Sequence, residues 1–222
     1  MTAIANWLNT AFAEFDYAIL ECYHLLAEHA GVILTPFLKL ISLFGEKGLL
    51  GIVVGLICLL FRKTRKTGVC VLGAVVVGAI ITNLTVKDLV ARPRPFQSEI
   101  LDFAAWWQYI GAPSVGEFSF PSGHTTSAVA SMTALCFLQR KWKVMVPAIS
   151  FAVLTGISRN YLMVHYPTDV IAGAVVGLCS ALISLGVTLL LFHLLECKKD
   201  TRLVGFILNA DIRDCFQKKQ EG

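Results

Sequence analysis

Apolar positions run uninterrupted by charge over residues 67–86 and 170–195. Each stretch reaches or passes the ~20 residues that a helix rising ~1.5 Å per residue needs to cross a bilayer core of ~30 Å. Three shorter uncharged runs cover 48–61, 125–139 and 144–158. They fall short taken alone, but span the core if the charged residues at one end are functional or lie at the interface. The pattern predicts an all-α fold: a polytopic transmembrane helical bundle of five or six crossings, with the multi-pass core at 46–197.

The first 45 residues read differently. From residue 15 to 43 the apolar positions are interrupted by Glu21, His24, Glu28, His29 and Lys39. That pattern suits amphipathic helices lying in the interface, and Pro36 should break or kink them. A sixth crossing within this segment would move the N-terminus to the inside. The beginning lacks the basic start and cleavage site of a secretory signal. Residues 97–120 read as a polar loop with Gly111, Pro113 and Gly116, where Trp106 and Trp107 suit an interfacial anchor or a cap over a site. The segment 198–222 reads as a polar cytoplasmic tail.

Composition sharpens this picture. Of 222 residues 56% are hydrophobic and 15% charged, against about 25% charged in soluble domains. The net charge of +4 is concentrated in loops: Arg62, Lys63, Arg65 and Lys66, then Arg140, Lys141 and Lys143, then Lys198, Lys199 and Arg202. Five crossings put all three clusters on one side, which the positive-inside rule makes the cytoplasm. The clusters lack aromatic interleaving, so orientation accounts for them and nucleic-acid binding is not expected. The seven cysteines include no C-x-x-C pair, and those within apolar runs read as small packing residues.

Other charges contradict the inside rule. Lys87, Arg92 and Arg94 come as one span ends, His124 as the next begins, Arg159 as another closes, and His165 and Asp169 as the last opens. Alternating chain direction brings these blocks to one edge, opposite the basic loops. A single cation there could snorkel to headgroups, but three arginines, a lysine, two histidines and an aspartate together point to function. Guanidinium forks grip phosphate oxygens, and the prolines of Arg92-Pro93-Arg94-Pro95 stiffen the backbone that presents them. Pro121-Ser122-Gly123-His124 reads as a helix start: Ser122 caps it, free amides face an anion, and Gly123 permits close approach. Pro167 starts a further helix, so Asp169 falls in its first turn and can reach back to His165. A carboxylate on one ring nitrogen fixes the tautomer and frees the other to attack.

Together, Lys87 to Arg94-Pro95, Pro121 to His124, and Ser158-Arg159 to His165 and Asp169 match a three-part signature, K-x6-R-P, P-S-G-H and S-R-x5-H-x3-D. The chain resembles the type 2 phosphatidic acid phosphatase family, which shares its site with vanadium-dependent haloperoxidases. The resemblance covers residues 87–169. It implies a hydrolase in which His165 is the nucleophile, Asp169 orients it, and His124 protonates the leaving group and then assists water. Lys87, Arg94, Arg159, Ser122 and the Gly123 amide would hold the phosphoryl oxygens, with Arg92 behind them. No carboxylate cluster is spaced for Mg²⁺, so neither metal nor cofactor is expected.

The implied function is an integral lipid phosphatase of the cell membrane, with its site on the extracytoplasmic face and a lipid phosphate or diphosphate as partner. Small size and the lack of added domains favour undecaprenyl diphosphate, with phosphatidylglycerol phosphate and phosphatidate as alternatives. A haloperoxidase would be soluble. A non-catalytic lipid-phosphate binder or transporter would need the cations but not the His165–Asp169 pair.

Overall fold

A computed structural model describes residues 1–217, and all regular structure among them is helical. Residues 218–222, the end of the predicted tail, lie outside the described residues. In chain order the α-helices are α1 (Ala3–Ala11), α2 (Ala13–Gly45), α3 (Leu49–Leu60), α4 (Arg65–Ile81), α5 (Lys87–Val90), α6 (Leu101–Tyr109), α7 (Gly123–Leu138), α8 (Trp142–Tyr161), α9 (Pro167–Cys197), α10 (Arg202–Asn209) and α11 (Ile212–Gln217). Three helical stretches, Ala13–Leu60, Arg65–Gln97 and Pro167–Cys197, are long and apolar enough to cross a membrane. The outer faces of α3, α4, α8 and α9 expose Leu56, Ile57, Val76, Ile80, Ile149, Val153, Val175 and Leu182. A soluble bundle would place polar side chains there, whereas a membrane protein turns these residues to lipid.

The innermost helix is α7, which packs against α3, α4, α8 and α9. Its sequence suits that position because its residues are small. Ala128, Ala130, Ser131 and Ala134 are buried, and the hydroxyls satisfy themselves on their own helix: Thr126 donates to Ser122 O, Ser127 to Gly123 O, and Ser131 to Ser127 O. Opposite them, α9 presents Gly173 and Gly177, one turn apart. A Cβ at Gly173 would meet Ser122 O at 2.7 Å, and one at Gly177 would meet Thr126 O at 2.7 Å. Small residues thus let two backbones touch where no hydrophobic effect drives helices together. The same seam joins the starts of both helices, since Ser122 N–H donates to Asp169 O at 3.0 Å.

Two expectations are corrected. Pro36 does not break the N-terminal helix: α2 is 33 residues long with Pro36 inside it. Pro36 and Val32, whose carbonyl it cannot engage, both lie on the outer face, away from the bundle. The predicted 97–120 loop contains α6, whose Trp106 and Phe103 are buried against α2, with Trp106 stacked on His24. Trp106 is therefore a packing residue, and Trp107 stacks on Phe96 at 4.2 Å.

The polar contacts of α2 step along one end of the bundle: Asp16 meets Thr168, Thr35 shares a hydrogen bond with the Tyr161 hydroxyl, and Ser42 meets Arg159. At the other end Arg62 N–H donates to Asp211 and Gln139 to Thr67.

The α7–α9 seam predicts that Gly177→Ala, which pushes a methyl into backbone, destabilises the bundle by about 1–3 kcal/mol. Thermal unfolding in detergent should show a midpoint lowered by several degrees, and an unchanged midpoint would remove the seam from the account.

Candidate active site

One cleft of about 630 Å³ opens at the end of the bundle touched by α2. Its walls include Lys87, Arg94, Gly123, His124, Arg159 and His165. The sequence blocks that are far apart in the chain thus meet around one space. Local structure explains how each arrives. After α4 the chain takes a π-turn over Thr82–Val86 before Lys87, and such turns re-aim the side chains that follow them. Ala91, in the left-handed region at φ 48°, then ends α5 and throws the chain into the extended Arg92-to-Pro95 segment.

The arginines differ in what holds them. Arg94 is clamped by three carbonyls: its Nε donates to Gly116 O at 2.5 Å, Nη1 to Val164 O at 2.6 Å, and Nη2 to Phe118 O at 3.1 Å. Its Nη1 also stands 3.4 Å from His165 Nε2. Arg159 is almost fully buried and donates from Nη1 to the Ser42 hydroxyl, while its Nε has no partner among the described residues. Neither Arg94, Arg159 nor Lys87 has a carboxylate within ion-pair distance among the described residues. Buried cations are costly unless paired, so this cleft is built to receive an anion.

His165 sits in the bend between α8 and α9. Its Nδ1 lies 3.5 Å from Asp169 Oδ2, an ion-pair separation without a hydrogen bond, and that nitrogen has no hydrogen-bond partner among the described residues. Nε2 is the nitrogen on the Arg94 side. Burial, followed by the charges of Arg94, Arg159 and Lys87, pushes the imidazole well below its ordinary value, which favours the neutral ring.

Asp169 is held from behind. It accepts from Tyr166 N–H at 2.9 Å and from Arg92 Nη1 at 2.7 Å. Arg92, 1% exposed, also donates from Nη1 to the Thr168 hydroxyl at 2.7 Å, from Nη2 to Asp16 at 2.8 Å, and from Nε to Asn9 at 2.7 Å, and it stacks on the Tyr166 ring.

Ser122 is the exception among the expected ligands. Its oxygen accepts from the Thr125 amide and hydroxyl as the cap of α7, and it does not line the cleft. The first-turn amides of Gly123 and His124 have no carbonyl within their helix to bind, and they lie where an anion would. A Cβ at Gly123 would stand 3.6 Å from Asn83 Oδ1, so Asn83 borders the same space.

The PAP2 superfamily model matches residues 67–192. The chain is 29% identical over 157 residues to an undecaprenyl-diphosphatase of Sulfolobus acidocaldarius, covering 71% of this chain and 72% of that one. It is 29% identical over 167 residues to the undecaprenyl-diphosphatase BcrC of Bacillus subtilis, covering 73% and 79%. A crystal structure of a transmembrane PAP2-type phosphatidylglycerolphosphate phosphatase from Bacillus subtilis superposes with a TM-score of 0.61 at 24% identity, over 90% of this chain and 92% of that one. Aquifex aeolicus LpxE superposes with a TM-score of 0.56 at 25% identity, over 75% and 94%.

Sequence reasoning passed over Asp16, Asn9, Thr168 and Ser42. The one available signal was an aspartate facing inward on a helix otherwise rich in apolar residues. Asp16 accepts from Thr168 N–H at 3.0 Å and Thr168 Oγ–H at 2.8 Å besides Arg92. Asp16→Ala leaves three buried donors short of a partner and should cost about 3–5 kcal/mol. Denaturation in micelles measures this, and wild-type stability would show the Arg92 cluster to be dispensable.

Proposed function

We propose that this membrane phosphatase, a chain that belongs to the PAP2 superfamily, hydrolyses undecaprenyl diphosphate to undecaprenyl phosphate through a phosphohistidine on His165. The carrying observation is the positive wall, without ion pairs among the described residues, around the His165 imidazole, with a carboxylate behind it and a second histidine in the same cleft. The choice of substrate is supported by the two undecaprenyl-diphosphatases that each align with more than 70% of the chain.

In this reading the terminal phosphoryl group lies among Lys87, Arg94, Arg159 and the amides of Gly123 and His124. His165 Nε2 attacks phosphorus, the bond to the bridging oxygen breaks, and its electron pair leaves with the lipid phosphate. Asp169 stabilises the positive charge that develops on the ring at Nδ1–H, and the His124 imidazolium protonates the departing oxygen, which leaves it neutral for the second step. Water then attacks the phosphohistidine, giving its proton to His124, and inorganic phosphate leaves with His165 neutral again. Preorganised cations stabilise the charge on the transferring group without reorganisation at the moment of reaction. The reaction is metal-independent, because the groups around the phosphoryl position are cations and amides, ligands for an anion and not for Mg²⁺. Ser122 serves by capping α7 and so aiming its amides. The site faces the extracytoplasmic side, since the basic loops lie at the opposite end of α4, α8 and α9.

Purified protein in EDTA should release phosphate from undecaprenyl diphosphate, and vanadate should inhibit it. His165→Ala should abolish release and leave no acid-labile phosphoenzyme after a quench. Strict dependence on Mg²⁺, or turnover by the His165 variant, would refute the mechanism.

A further inference from the structure

The cleft is larger than the phosphoryl cradle. It is lined from Val75 in α4, through the π-turn, to Lys87 at the start of α5. On its other wall stand Lys39, Ser42 and Leu43 of α2, and Glu46 and Lys47 of the turn into α3. These residues have no part in the proposed chemistry.

The two lysines are distinctive in the sequence. In the first 61 residues Lys39 and Lys47 are the only lysines or arginines, against five carboxylates. Both line the cleft, and neither is in an ion pair among the described residues. Lys39 interrupts the apolar run 36–44, where a cation is disfavoured unless it has a task. Lys47 sits in the left-handed region at φ 49°, beside Gly48 at φ 74°. A non-glycine residue held there costs energy, which points to a constraint on where its side chain stands. That turn is close to the chemistry: a Cβ at Gly45 would be 3.6 Å from the His124 ring, and one at Gly48 3.2 Å from the Ser127 side chain.

From this placement we infer that Lys39 and Lys47 form an outer phosphate subsite, which holds the lipid-proximal phosphate of a diphosphate while the inner cations hold the terminal one. The inference rests on the diphosphatase reading above. The charge balance favours it. Lys87, Arg94 and Arg159 already exceed the charge of about −2 on one phosphate group. Two further lysines, offset in part by Glu46, match a second phosphate and have no anion to meet in a monophosphate lipid. During reaction the lipid-proximal phosphate is the leaving group. It gains negative charge as the bridging bond breaks, and lysine ammonium groups beside it lower the barrier. The subsite would thus separate diphosphates from monophosphates in rate as well as in binding.

The test compares kcat/KM for undecaprenyl diphosphate and for phosphatidate in wild type, the double variant Lys39→Met with Lys47→Met, and the double variant with arginine at both positions. Methionine keeps the apolar stem, and thermal midpoints check the fold. The methionine variant should lower the diphosphate-to-monophosphate ratio at least tenfold, and the arginine variant should restore most of it. An unchanged ratio, whether both activities fall together or neither falls, would overturn the subsite while leaving the diphosphatase reading intact. A wild type that hydrolyses phosphatidate but not undecaprenyl diphosphate would overturn that reading and the subsite with it.

Discussion

The buried guanidinium of Arg92 is the point on which the site end of the molecule hangs. Three chain segments meet on it: the N-terminal helices through Asn9 and Asp16, the extended segment that carries it, and the first turn of α9 through Thr168 and Asp169. Two carboxylates share one cation, and the Tyr166 ring covers its face at 3.8 Å. A buried ion cluster of this kind contributes little net stability compared with a packed apolar core. It does fix geometry, because a planar fork satisfies its partners in one arrangement only. That arrangement holds Asp169, and Asp169 stands behind His165. The N-terminal helices, outside the matched family region, are thereby part of the support of the site.

Lys87, Arg94, His124, Arg159, His165 and Asp169 were legible in the sequence because their chemistry ties them to helix ends at fixed intervals, and helix direction alone brings those ends together. The long uncharged stretches 67–86 and 170–195 were legible because lipid tolerates few polar positions, and they fall in two of the three helical stretches long and apolar enough to cross a membrane. Asp16 was not, since its partners lie 76 and 152 positions away and the only local mark is a lone carboxylate in an apolar-rich helix. The helix through Pro36 was hidden because proline removes only one hydrogen bond, and this one faces outward where nothing else depends on it. The short helix α6 was hidden because its apolar face is completed by α2, so its own periodicity is too brief to register. Ser122 was read both as the cap of α7 and as a phosphate ligand, and its oxygen makes the cap of the helix that presents the amides. A capping side chain and a binding one have the same sequence signature.

The arginines show why residue type alone does not assign a role. Arg92 has four side-chain partners, two of them carboxylates, and its charge is spent within the fold. Arg94 is held by three neutral carbonyls, which fix its direction but leave its charge unbalanced. Arg159 has one hydroxyl and an unpartnered Nε. This gradient from neutralised to bare runs from the support behind Asp169 into the cleft. In the proposed reaction a phosphoryl group entering the cleft would complete the missing ion pairs, and most of the electrostatic cost of holding those cations there has already been met by folding. Such preorganisation stabilises charge that develops later, because the dipoles and ions need not move to meet it. Reading each cation by what already neutralises it separates the structural arginine from the binding ones. The same reading leaves Lys39 and Lys47, unpaired and on the cleft wall, as cations whose counter-ion is still to arrive.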